Sequence, residues 1–185
     1  MRIDHVVVAS SDLQRSGETV GRALDRDVVA GGRHEGLGTE NLIVPLGSAF
    51  IEILAIADPE EAARSELGRL VSARIEAVGE GPMAWAVAVD DVEAVAARLG
   101  LQRSAVGRDG AVGALAGLPE ALAEPTLPFF IERHGDARGD GIDAIEVSGD
   151  AVRLGEWLGA ASLPVSVAAG APGVLAVTVG GHTLT

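Results

Sequence analysis

A β-branched, strand-like segment that runs into an aspartate and then a helical pattern occurs near the N-terminus and returns twice in weaker form. The first copy is Ile3-Asp4-His5-Val6-Val7-Val8-Ala9-Ser10-Ser11-Asp12-Leu13. The second is Met83-Ala84-Trp85-Ala86-Val87-Ala88-Val89-Asp90-Asp91-Val92, and the third is Ile142-Asp143-Ala144-Ile145-Glu146-Val147-Ser148-Gly149-Asp150. A spacing of about 80 residues is too long for a solenoid, whose periods run roughly 20–50 residues. The repeat instead predicts a duplicated supersecondary module, and paired modules leave a cleft between them in which a small molecule can sit.

Composition narrows the chemistry. With 185 residues the chain is long enough for a single core shared by closely joined modules. Apolar residues make up 48%, yet no uninterrupted apolar run approaches the roughly 18 residues of a membrane span. Met1-Arg2-Ile3-Asp4-His5 enters a strand directly, and cysteine is absent, so the expectation is a cytoplasmic protein without disulfides. A net charge of −13 opposes nucleic-acid binding, which needs clustered cations. All 14 cations are arginine, which rules out a lysine Schiff base or a P-loop lysine. Without cysteine or tyrosine, acid–base or nucleophilic work falls to His, Asp, Glu, Ser or Thr, or to a metal.

The pattern along the chain predicts an α+β fold. Strand 2–9, a helix from Leu13 to Leu24 capped near Asp12, a short strand at Asp27–Ala30, and two strands from Asn41 to Leu46 and Ser48 to Ile56 form a β-α-β-β-β module over 1–57. Residues 58–81 read as a connecting helix and linker, started by Asp58-Pro59-Glu60-Glu61. A second module spans 82–135, with poorly patterned residues from 103 to 127 and a clear strand at Pro128–His134. A partial third β-α-β-β module follows over 142–185, and the whole is expected to be one compact unit. Asp109-Gly110 and Asp140-Gly141 read as turns.

Three ionisable residues interrupt apolar strands. His5 lies beside Val6 and Val7, Glu52 between Ile51 and Ile53, and Glu132 follows Phe130 and Ile131. Strand alternation groups Ile3, His5 and Val7 on one face and Phe50, Glu52 and Leu54 on another. A carboxylate buried among such neighbours costs several kcal/mol unless it is paired or ligates a metal. The trio therefore points to a metal or acid–base centre, or else to strands whose charges face solvent or meet arginines. The run Gly31-Gly32-Arg33-His34-Glu35-Gly36-Leu37-Gly38-Thr39-Glu40-Asn41 reads either as a ligand-approaching loop, with Arg33 suited to a carboxylate or phosphate, or as an ordinary hairpin. Trp85 is core or cleft lining. His182, close to the C-terminal residue Thr185, reads as surface.

On these residues the chain resembles the glyoxalase-like branch of the vicinal oxygen chelate superfamily. The likeness is carried by the paired modules, by Ile-Asp-His-Val-Val-Val at 3–8 and Phe-Ile-Glu-Ile-Leu at 50–54, by the run at 31–41, by Ala-Trp-Ala-Val at 84–87 and by Pro-Phe-Phe-Ile at 128–131. The resemblance implies an incompletely closed eight-stranded sheet around a cavity, holding a divalent metal (Zn, Ni, Mn or Fe). The ligands carried over are His5, Glu52 and Glu132, with Glu132 also the catalytic base. A fourth is missing, since Ala84 and Trp85 stand where module two would supply its histidine. Arg33, His34, Asn41, Trp85 and Phe130 are the implied substrate contacts.

Two functions follow from the resemblance, beside the blander alternative of a scaffold protein that has lost its site. One is a metal-dependent lyase, isomerase or dioxygenase acting on a small anionic or oxygen-rich molecule. The other is a metal-free binding protein of the antibiotic-sequestering, bleomycin-resistance-like kind, using Trp85, Phe130 and Phe50 as pocket walls. In both the partner is a small molecule rather than nucleic acid or membrane, and the resemblance implies a homodimer.

Overall fold

The structure is a computed structural model and describes residues 1–108, 111–134 and 141–185. Residues 109–110 and 135–140, which include the turn expected at Asp109-Gly110 and Asp140 of the second, lie outside the described residues. In the first module, β1 (Arg2–Ser10), α1 (Leu13–Leu24), β2 (Val29–His34), β3 (Thr39–Pro45) and β4 (Phe50–Ile56) follow the anticipated order. Helices α2 (Pro59–Arg64) and α3 (Glu66–Val78) connect it to the second module: β5 (Gly81–Val89), α4 (Val92–Leu99), β6 (Arg103–Arg108), β7 (Ala111–Ala116), α5 (Leu118–Ala123) and β8 (Phe129–Glu132). The last unit is β9 (Ala144–Ser148), α6 (Ala151–Leu158), β10 (Val165–Ala168), β11 (Gly173–Val179) and β12 (His182–Leu184).

The aspartate that closes each repeat has one physical job. Asp12 accepts from the Arg15 N–H, Asp91 from the Ala94 N–H, and Asp150 from the Val152 and Arg153 N–H groups. Each satisfies amide groups that the first helical turn cannot pair internally. The connecting segment differs from a single helix. Ser65 is extended (φ −99°, ψ 149°), ends α2, and starts α3 by accepting from the Gly68 N–H. A Cβ at Gly68 would lie 2.5 Å from the Ala62 Cα, so glycine allows the two helices to meet this closely.

Both modules build one curled eight-stranded sheet in the order β2-β3-β4-β1-β5-β8-β7-β6. They join through the antiparallel pair β1–β5, while β4 lies parallel to β1 and β8 parallel to β5. The third unit forms its own four-stranded sheet, β10-β9-β11-β12. It has one strand more than expected and a different arrangement: the strand after its helix pairs directly with the first strand, whereas in module one that strand lies at the far edge.

The two faces of the large sheet are buried differently. Val6, Val8, Ile51, Ile53, Trp85, Val87 and Phe130 pack on α1, α4, α6 and the C-terminal sheet. Val7, Ala9, Leu54, Ala84, Ala86, Phe129 and Ile131 face the concave side, where α3 (Leu67, Val71, Ile75) and α5 (Leu118, Ala121, Leu122) cover them. The chain's own helices thus fill much of the hollow that a half-barrel leaves. Among the described residues no helix is long and apolar enough to cross a membrane.

Trp85 is fully buried in the larger core, and its indole N–H donates to the Thr126 carbonyl at 3.3 Å. Trp85→Ala should cost about 3–5 kcal/mol, as for other large-to-small core changes, measured by urea unfolding. A loss below about 1 kcal/mol would show that the ring borders an open cavity instead, since surface substitutions typically stay within ±0.5 kcal/mol.

Candidate functional site

The site begins with a bulge. The β1–β5 register skips between Ile3 and His5, leaving Asp4 as the extra residue. The expectation that Ile3 and His5 share a face is corrected accordingly: Ile3 packs with Val6 and Val8 in the larger core, while His5 lies opposite Ala86 on the concave side. The bulge also brings the Asp4 carboxylate against its neighbour. Asp4 Oδ2 lies 2.8 Å from His5 Nδ1, and Asp4 Oδ1 accepts from Arg133 Nε at 2.9 Å.

The other side of the imidazole meets Glu52. His5 Nε2 is 3.7 Å from Glu52 Oε2, and Glu52 Oε1 accepts from Asn41 Nδ2 at 2.5 Å. Gly31 makes room for that amide, because a Cβ there would fall 1.7 Å from Asn41 Oδ1. The His5 ring stacks on Phe50 (4.4 Å between centroids, 12° between planes) and meets Phe129 edge-on at 5.3 Å. The Arg133 guanidinium lies over Phe50 at 6.0 Å. A continuous polar line, Arg133–Asp4–His5–Glu52–Asn41, therefore crosses an apolar end of the concave face. His5 is 5% exposed, and the line opens toward solvent at the Glu52 and Arg133 side chains, 15% and 44% exposed. Open surface depressions lie elsewhere, one by Glu124 and Asp150 and one by Arg22 and Asp27.

Glu132 is not part of this line. It stands on the Phe130 face of β8, its Oε2 accepting from the Val92 N–H at the start of α4 and its Oε1 lying 3.3 Å from His134 Nε2. The register explains the displacement. Val6 faces Trp85 across β1–β5, so a local two-fold relation exchanges His5 with Ala84 and Val7 with Ala86. Glu52 pairs with Val7, and the residue that pairs with Ala86 is Phe129. Phe129 is the module-two counterpart of Glu52, and Glu132, three residues on, falls on the opposite face. Trp85 and Phe130 are likewise turned to the larger core, away from His5.

Arg33 and His34 are also elsewhere. They sit on edge strand β2, separated from β1 by β3 and β4. Arg33 pairs with Asp58 and Glu61 at the start of α2, and His34 Nδ1 lies 2.9 Å from Thr39 Oγ1. Of the residues selected from sequence, the structure brings together His5, Glu52 and Asn41. Phe50, expected as a pocket wall, stacks on His5 there, and the structure adds Asp4, Phe129 and Arg133, for which the signals were adjacency to His5 and the period-two spacing 129, 131, 133 along and just past β8.

Among the described residues no three His, Asp or Glu side chains are placed to hold a metal ion. The donor chemistry gives the reason: module one supplies His5 and Glu52, but module two supplies a methyl group and a phenyl ring at the related positions. The divalent ion implied by resemblance does not fit this donor set.

The Asp4 carboxyl is pushed up by burial, but its hydrogen bond and charge interaction with His5, together with Arg133, outweigh this and hold it below its ordinary value. A depressed folded-state value stabilises the fold above the unfolded value of about 4 and loses that contribution as pH falls through the folded one. Urea unfolding between pH 6 and pH 3 should therefore show a shallower acid loss in Asp4→Asn than in the wild type. Equal slopes would contradict the pairing.

The glyoxalase-like domain family matches residues 3–156. No curated protein matches the chain. Among solved structures, a hypothetical protein from Staphylococcus aureus superposes over 98% of this chain and 97% of its own, with TM-score 0.66 and 14% identity. The methylmalonyl-CoA epimerase of Mycobacterium tuberculosis covers 72% of this chain and 89% of its own (TM-score 0.53, 20% identity). A variant of the Streptomyces coelicolor methylmalonyl-CoA epimerase, in complex with 2-nitronate-propionyl-CoA, covers 73% and 99% (TM-score 0.54, 17% identity). At these identities the likeness establishes the fold, and with the family match it leads to one conclusion: the chain belongs to the glyoxalase-like domain family, within the vicinal oxygen chelate superfamily.

Proposed function

We propose that the chain binds a small oxygen-rich molecule at the His5 end of the concave face and moves a proton on it through the His5–Glu52 pair, without a metal. The observation that carries this reading is how the pair is held. His5 is tied at Nδ1 to Asp4, and Glu52 is tied at Oε1 to Asn41, so Nε2 and Oε2 are the atoms left facing one another at 3.7 Å. That separation is too long for a hydrogen bond of ordinary strength, and it leaves a substrate atom access to both groups.

The chemistry suited to the pair is proton transfer next to a carbonyl. The Glu52 carboxylate takes the proton from carbon, the C–H pair forms the C=C bond of an enolate, and the C=O π pair moves onto oxygen. The His5 ring, oriented by Asp4 at Nδ1, stabilises that developing charge from its Nε2 side. On a substrate with a hydroxyl on that carbon, return of the proton to the former carbonyl carbon, with the hydroxyl proton passing between the two oxygens, completes an isomerase-type reaction. The fold is shared with methylmalonyl-CoA epimerases, whose name describes inversion at a carbon centre, and this supports the reaction class. A metal-free sequestering protein is the second reading, favoured by the Phe50 and Phe129 rings that flank His5.

Proton NMR in D2O separates the two. With a panel of small 2-oxo acids and their thioesters, the protein should catalyse exchange of the C–H beside the carbonyl, and Glu52→Gln should slow it by about 10²–10⁴-fold while ligand-induced thermal stabilisation remains. Stabilisation by panel members with no exchange in the wild type would favour sequestration and sink the catalytic reading.

A further inference from the structure

We infer that Arg2 and Arg133 form a docking site for one carboxylate group at the mouth of the His5 site, which makes the ligand a small monocarboxylate. Neither arginine belongs to the His5–Glu52 proton pair. The placement follows from register. Arg2 lies opposite Ala88, Ala88 pairs with Ile131, and Arg133 is two residues beyond Ile131 on the same face. The two guanidinium-bearing positions therefore flank β5 where it presents the small side chain of Ala88, and both share the concave face with His5.

Their bonding states differ in an informative way. Arg133 uses Nε to hold Asp4 Oδ1, leaves the rest of its donor fork at a 44%-exposed position, and lies over Phe50, the ring that stacks on His5. Arg2 Nε is enclosed and has no hydrogen-bond partner among the described residues. A buried guanidinium nitrogen left without an acceptor is unusual, because burial removes the water that would otherwise satisfy it. Every other charged group of the site has a local partner: Asp4 meets His5 and Arg133, and Glu52 meets Asn41 and His5. Among the described residues Arg2 has no ion-pair partner, and a single carboxylate meeting the outer nitrogens of the two forks matches them in charge and in the planar geometry that guanidinium favours. A phosphate dianion would add excess negative charge beside Asp4 and Glu52. A carboxylate docked here places the carbon atoms next to it toward His5 and Phe50.

This inference takes its location from the proton-transfer reading, but binding alone tests it. Saturation-transfer NMR with pyruvate, its neutral methyl ester and inorganic phosphate should show pyruvate binding to the wild type, with the ester and phosphate at least tenfold weaker. Arg2→Gln and Arg133→Gln should each weaken pyruvate at least tenfold, with their fold checked by circular dichroism, while Arg22→Gln, an exposed arginine on α1 away from the site, keeps pyruvate affinity within about threefold. Ester or phosphate binding equal to pyruvate, unchanged affinity in folded Arg2→Gln, or no pyruvate binding by the wild type would each overturn the inference. Retained pyruvate binding together with absent C–H exchange would overturn the proton-transfer reading alone.

Discussion

The antiparallel pairing of β1 with β5 is the constraint on which the rest of this structure depends. It joins the two modules into one sheet, and by setting Val6 opposite Trp85 it decides which side chains share a face. Because strand side chains alternate, one register choice sends Val6, Val8, Trp85 and Val87 into the large core and His5, Val7, Ala84 and Ala86 to the concave side. The same pairing sets the local two-fold relation that makes Ala84 and Phe129 the counterparts of His5 and Glu52. The asymmetry of the site thus follows from two side chains in module two, while the backbone keeps the modules equivalent.

The polar line from Arg133 to Asn41 is tolerated because each charged member has a partner. Removing one partner would leave its neighbour charged and unpaired where water is scarce, a larger penalty than loss of the contact itself. The apolar surroundings matter equally. Helices α3 and α5 cover the concave side, Phe50 and Phe129 bracket the imidazole, and Glu52 and Arg133 are the more exposed members of the line. In the proposed reaction, an apolar setting of this kind would strengthen electrostatic interactions between His5, Glu52 and a bound molecule.

Much of the fold was legible in the sequence because the signals are local. The recurring aspartates mark three helix starts that the structure confirms as caps, and Asp58-Pro59 marks a fourth. The break at Ser65 was hidden because it depends on Gly68 packing against Ala62, a tertiary contact. At the site, His5 and Glu52 were readable as ionisable residues within apolar strands, and Asn41 through the resemblance carried by the run at 31–41. Glu132 misled because it shows the same pattern, and only the pairing of β8 with β5 places it on the other face. Arg33 and His34 misled because their glycine-rich surroundings serve a hairpin edge and the start of α2. Asp4 could not be placed without the bulge, and Arg133 draws its meaning from a carboxylate 129 residues away in the chain.

The most direct test of the account is calorimetric titration of chelator-treated protein with Mn, Ni, Zn and Fe(II), run in parallel on His5→Ala. With Ala84 and Phe129 replacing half of a donor set, the wild type should take up no stoichiometric ion that His5→Ala abolishes. One equivalent bound by the wild type and lost in His5→Ala would place a metal between the modules and contradict the proton-pair account at its centre.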